Sequence, residues 1–151
     1  MPAKQIRQDW MEIRNANSAD IPSLAHLMTE LGYPTSTEEM MSRVALIGSR
    51  TDHAIFVVDE KGVVAGMIGV SISPSLYQSD PQGAIVALVV SSDFRGQGIG
   101  AFLVERGEHW LRESGAKYVT VKPSIHREDA HRFYARLGYE HSGLRFSKSL
   151  I

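Results

Sequence analysis

Between Ala84 and Gly115 the hydrophobic pattern changes period across one short connection. "AIVALVV" is a continuous apolar run, which reads as a strand buried on both faces. "IGAFLVERGEHWLRESG" then places Ile99, Phe102, Leu103, Trp110 and Leu111 on one helical face, with Gly115 positioned to close the helix. A strand handed straight to an amphipathic helix restricts the chain to an α/β architecture. The connection itself, "SSDFRGQGIG", sets Gly96, Gly98 and Gly100 at alternate positions directly after Arg95. Glycine inside a helix costs roughly 0.5–1 kcal/mol relative to alanine. Three of them at a helix entrance indicate that something outside the chain needs close access to this backbone.

The flanking segments extend the pattern. "MEIRNAN" alternates Met11 and Ile13 with Glu12 and Arg14, a strand period. "SADIPSLAHLMTELG" spaces Ile21, Leu24, Leu27, Met28 and Leu31 as a helix, with Ser18 or Asp20 as its cap and Gly32 as its end. His26 on that helix reads as surface or core filler. Ser36 and Glu39 form a capping-box spacing before Met40, Val44 and Ile47. "HAIFVVD" and "VVAGMIGVSIS" read as a hairpin turning at "EKG". "KYVTVKP" is a strand, and "EDAHRFYARLG" is a helix presenting Ala130, Phe133, Tyr134 and Leu137 on one face. "YEHSGLRFSKSLI" reads as one or two closing strands. The order β-α-α-β-β-β-α-β-α-β is a mixed α/β chain, and its hairpins exclude a purely parallel sheet. One domain is expected over 9–151, preceded by a tail at 1–8.

Composition narrows the function. The 151 residues carry a net charge of -1, so nothing global draws the chain to nucleic acid or to an anionic membrane. Zero cysteines remove disulfides, thiol nucleophiles and thiolate metal sites together. No apolar run approaches the roughly 18 residues of a membrane span, and "MPAKQIRQDW" lacks a signal-peptide core. A cytoplasmic protein without a metal is the expectation.

The amides at a helix N-terminus lack intrahelical partners, and the helix dipole adds about half a positive charge there. Side-chain-free positions let an anion approach, and Arg95 adds a bidentate donor fork. The pattern favours a phosphate-bearing ligand; the alternative is a glycine-rich turn that merely lets strand and helix pack. The dinucleotide fingerprint fails, because its third glycine falls three residues after the second and here the interval is two. The Walker loop fails because no Gly-Lys-Ser/Thr follows.

"VVSSDFRGQGIGAFLV" resembles the acetyl-CoA-binding motif of the GNAT superfamily of N-acetyltransferases, matched at Arg95, Gly98 and Gly100. "DAHRFYARLGY" resembles the second signature of the same family, in the expected place downstream. The resemblance covers essentially the whole chain. It implies a GNAT fold, with a mixed, mostly antiparallel sheet of six to seven strands flanked by about four helices. It also implies that the CoA diphosphate rests on the amides of Gly96, Gln97, Gly98, Ile99, Gly100 and Ala101. The pantetheine would pair with the backbone of Leu88, Val89 and Val90. Arg127 stands where the family often has an asparagine on the pantetheine, and it reads either as a phosphate contact or as a solvated side chain.

The implied reaction is acetyl transfer from acetyl-CoA to a primary amine by direct attack, with Tyr134 in the place of the family's general acid. By spacing alone Tyr134 packs with Phe133. No general base is visible. "GAIVALVV" contains no acid, and Asp80, Asp93, Glu105, His109, His126, His131 and His141 are candidates by residue type only. His126 and His131 do not share a helical face, so they make no metal pair. The acceptor stays open between small-molecule and peptide amines. Tyr33, Tyr77, Glu30, Glu38, Glu39 and Asp80 are the residues that could line its site. A non-catalytic acyl-CoA-binding sensor or partner module is the alternative. "GLRFSKSLI" alternates Leu144 and Phe146 with Arg145 and Ser147, as an edge strand that either pairs in a homodimer or is blunted by Arg145 and Lys148.

Overall fold

The computed structural model describes residues 11–121, 128–141, 143 and 146–151, and the chain divides into two compact units, 1–120 and 121–151. The expected tail at 1–8, together with His126, Arg127, Leu144 and Arg145, lies outside the described residues.

The first unit begins with β1 (Met11–Asn15), a 3-10 turn (Ser18–Asp20) and the helices α1 (Ile21–Leu31) and α2 (Thr37–Gly48). Asp20 does occupy the N-cap position of α1, but its carboxylate makes no cap bond there. It accepts instead from Arg14 Nη1 and Nη2 at 2.8 and 2.9 Å and from the Asn17 N–H at 2.8 Å. Arg14 also reaches Asp59 at 3.0 Å, so one guanidinium ties β1, α1 and the next strand together. The Arg14 hydrogen bond, working against burial, holds the Asp20 carboxyl below its ordinary range. Gly32 closes α1 at φ +112, and Ser36 and Glu39 form the expected capping box of α2.

β2 (His53–Glu60) and β3 (Val63–Ser73) turn through Lys61 and Gly62, whose φ values of +50 and +89 are the pair a two-residue hairpin turn requires. β4 (Gln82–Val90), α3 (Ile99–Glu113) and β5 (Val119–Val121) follow. The sheet order is β1-β2-β3-β4-β5, and the first three pairings are antiparallel. Among the described residues the sheet has five strands, not six to seven. Residues 139–141, 143 and 146–151 form no strand, and Phe146, Leu150 and Ile151 are exposed. Alternation of side chains makes a strand only where a neighbour completes the ladder.

The two faces of the sheet are filled differently. Val57, Met67 and Val89 stand opposite one another across three strands and pack with Leu24 and Leu27 of α1 and Met40 of α2. Strand alternation turns Phe56, Ile68 and Val70 to the other face, under α3. There the helix comes so close that a Cβ on Gly107 would meet Ile68 Cδ1 at 2.9 Å and Val70 Cγ1 at 3.0 Å. A Cβ on Gly66 would meet the Val89 carbonyl at 3.0 Å and Leu103 Cδ1 at 3.1 Å. Each large side chain buried in such a layer contributes about 1.5–3 kcal/mol.

In the second unit α4 (Glu128–Arg136) follows the expected helix, and the chain passes Gly138 at φ +91. Tyr134 is buried and packs edge-on against Phe133 and Tyr139, with ring centroids 5.1 and 5.4 Å apart. Leu137, expected on the same face, is exposed.

Candidate active site

β4 ends at Val90, and the Ser91 N–H donates to the Ala65 carbonyl at 2.8 Å. A 3-10 turn at Ser92–Phe94 follows, held by the Phe94 N–H on the Ser91 carbonyl at 2.9 Å. Arg95 is extended and exposed. Gly96 and Gly98 then take φ +80 and +77, left-handed values that a side chain at either position would strain. A Cβ on Gly96 would meet nothing within 4 Å, so conformation and not crowding requires glycine there. Gly98 is the N-cap of α3 and has no side chain to cap it. The Phe102 N–H reaches the Gly98 carbonyl at 3.1 Å, so the amides of Ile99, Gly100 and Ala101 precede the first carbonyl the helix can offer. Gly100 does not have a positive φ, so its missing side chain is not required by the backbone. Ile99 is buried and anchors the turn, while Gly96, Gln97 and Gly98 are exposed. The result is an exposed N-terminus without a side-chain cap, beside a cation: an anion cradle.

Leu88, Val89 and Val90 pair with Ile68, Met67 and Gly66 of β3 on one edge. On the other edge β5 has only three residues, against nine in β4. Its neighbourhood is fixed at the start of β4, where the Gly83 N–H donates to the Tyr118 carbonyl at 3.3 Å. A three-residue strand spans about 10 Å, so among the described residues β5 lines only the beginning of that edge. Gly69 stands opposite Ala87 and Val70 opposite Ile85, so Val86 is the extra residue of a β-bulge, and it is 58% exposed.

Glu30, at the end of α1, accepts from the Ser92 N–H at 3.0 Å. Its Oε2 is buried without a hydrogen bond, although His26 Nε2 lies 3.1 Å away outside bonding geometry. Burial would push this carboxyl up. The bonds from Ser92, with His26 and Arg95 nearby, outweigh it and hold the group below the ordinary glutamate value. Glu30 thus braces the turn, a role its sequence position did not reveal. Glu39 is committed to its capping box, whereas Tyr33, Tyr77 and Asp80 are exposed. His109 pairs with Glu113 at 3.3 Å on α3, and His131 and His141 have ring centroids 6.0 Å apart in the second unit. Among the described residues no three metal-binding side chains cluster.

Residues 21–139 match the model of the acetyltransferase (GNAT) family. The chain belongs to that family. This acetyltransferase is 34% identical over 149 residues to an aminoalkylphosphonate N-acetyltransferase of Salmonella typhimurium, covering 95% of this chain and 96% of that one. Among solved structures it resembles glucosamine-6-phosphate N-acetyltransferase from Arabidopsis thaliana, with a TM-score of 0.80, 26% identity, and coverage of 93% of this chain and 99% of that one. The aminoglycoside N-acetyltransferase AAC(6')-Iy, in complex with CoA, superimposes with a TM-score of 0.84 at 19% identity over 93% of this acetyltransferase and 95% of that chain, a likeness of fold.

Proposed function

We propose that this acetyltransferase moves the acetyl group of acetyl-CoA onto the primary amine of a small molecule by direct attack. The observation that carries the reading is the entrance to α3. Two left-handed glycines and a third without a side chain open its N-terminus beside Arg95. The amides from Gly96 to Ala101 take the diphosphate there. The pantetheine adds to the edge of β4 along Leu88, Val89 and Val90, in the manner of an added strand.

In the reaction the neutral amine attacks the thioester carbonyl and forms the C–N bond, the C–S bond breaks, the CoA thiolate leaves, and the nitrogen gives one proton to solvent to become the amide. A strand N–H such as that of Val90 stabilises the charge developing on the carbonyl oxygen. Tyr134 protonates the thiolate, since a phenol is protonated at neutral pH. The likeness to the aminoalkylphosphonate enzyme makes aminoalkylphosphonates the first acceptors to try.

A thiol-release assay with acetyl-CoA over an amine panel led by aminoalkylphosphonates tests the reading. Release with at least one amine is expected, falling by about one to three orders of magnitude in Tyr134→Phe. Acetyl-CoA binding without release for any amine would make the protein an acyl-CoA sensor. Wild-type turnover in Tyr134→Phe, with chemistry rate-limiting, would make the tyrosine a packing residue.

A further inference from the structure

Glu30 stands at the wrong end of its helix. It lies in the last turn of α1, where the helix dipole disfavours an acid, and that turn carries no basic residue. Leu24 and Leu27 are fully buried in the core and fix which face α1 turns to the sheet. A mostly buried acid in so unfavourable a place points to a partner outside the helix. That partner is the Ser92 N–H, 62 residues on, which donates to Glu30 Oε1 at 3.0 Å. The other carboxylate oxygen is buried, with His26 Nε2 3.1 Å away. The side chain is thus held between its own helix and the β4–α3 connection.

The connection is tied down residue by residue. Ser91 is bound to β3 through the Ala65 carbonyl, Ser92 is bound to α1 through Glu30, and the N–H groups of Asp93 and Phe94 fold back onto Ser91. Arg95, Gly96, Gln97 and Gly98 follow at once and are exposed. α1 packs on the face of the sheet that carries Val57, Met67 and Val89, and α3 on the face that carries Ile68 and Val70. Glu30 therefore steadies, from one face, a turn that opens into a helix on the other. A turn that must cradle an anion binds it less tightly by the fraction of time it spends out of shape. A hydrogen bond to a carboxylate is among the stronger ones available to prevent that. The charge of Glu30 works the other way. Arg95 is near enough to stabilise the carboxylate, so the carboxylate in turn opposes an incoming diphosphate. At an exposed turn that repulsion is screened, whereas the hydrogen bond is local.

We propose that Glu30 is a positioning residue for acetyl-CoA: its bond to the Ser92 N–H holds the β4–α3 turn in the shape that receives the diphosphate. The inference rests on the acetyl-transfer reading, from which it takes the identity of the ligand.

The test is calorimetric titration of acetyl-CoA, with no acceptor present, into wild type, Glu30→Ala, Glu30→Asp and Glu30→Gln, with the Tm of each measured alongside. Glu30→Ala removes brace and charge together. Glu30→Asp keeps the charge on an arm one methylene too short. Glu30→Gln removes the charge but keeps an oxygen for the Ser92 N–H and offers its NH2 to His26 Nε2. We expect Kd to rise about tenfold in Glu30→Ala and at least as much in Glu30→Asp, and to stay within about twofold of wild type in Glu30→Gln. Equal or tighter binding by Glu30→Ala overturns the inference, including the case in which its Tm falls and its Kd holds, for Glu30 then serves the fold and not the ligand. A loss in Glu30→Gln as large as in Glu30→Ala overturns it too, because the charge and not the brace would then matter. Should Glu30→Ala fail to fold, wild-type affinity in Glu30→Asp overturns it equally. Wild type that does not bind acetyl-CoA overturns the acetyl-transfer reading along with it; binding by wild type with unaltered variants overturns this inference alone.

Discussion

Gly98 and Gly107 belong to the same helix and are glycine for opposite reasons. At the N-terminus of α3, Gly98 has φ +77 and opens the backbone outward. In the body of the helix, Gly107 lies against Ile68 and Val70, where a single added carbon would collide. On the proposed reading, the first glycine keeps the backbone open to CoA. The second lets the helix settle onto the sheet. The sheet repeats the contrast: Gly107 of α3 is pressed against one face, while the bulge leaves Val86 exposed over the middle of β4 on the other. Closing one face of a sheet decides from which side chemistry can arrive.

The comparison is most exposed at Gly98. In wild type, acetyl-CoA at 100 times its Kd should stabilise the fold by about 2.7 kcal/mol. Gly98→Val should abolish that gain. The readout is the difference in Tm with and without ligand, which cancels the backbone strain of valine at a positive φ. An undiminished shift would mean the turn is glycine for its own geometry alone.

Gly107→Val tests the closed face. Overpacking against Ile68 and Val70 should cost about 1–3 kcal/mol, seen as a lower denaturant midpoint with m unchanged. The acetyl-CoA shift should survive in this variant. A variant as stable as wild type would show that α3 can retreat from the sheet at little cost.

Val86→Ala, on the open face, should change stability by less than about 0.5 kcal/mol, because its side chain is already in solvent. A larger loss in chemical denaturation would show that something covers this face.

Much of the fold was legible in the sequence, and the legible parts are local. The capping box of Ser36 and Glu39, the hairpin at Lys61 and Gly62 and the closing glycines Gly32 and Gly115 each satisfy a requirement set within a few residues. The same holds for the side-chain-free entrance to α3, which points to an anion before any fold is known. Where the local rule failed, a distant partner had intervened. Asp20 has the right place to cap α1, yet Arg14 on β1 takes its carboxylate. The closing segment alternates like a strand, yet no ladder forms along its described residues.

From the sequence alone come the α/β class, the order of the elements as far as α4 and the glycine turn after Arg95, because turn dihedrals and helix caps are decided by neighbours in the chain. Only the tertiary structure showed that Gly107 and Gly66 are contact points, that Val86 is the bulge, and that Glu30 braces a turn 62 residues away. Each of these depends on strand register and helix docking, which place atoms within a few ångströms across long stretches of chain, and no local preference encodes that distance.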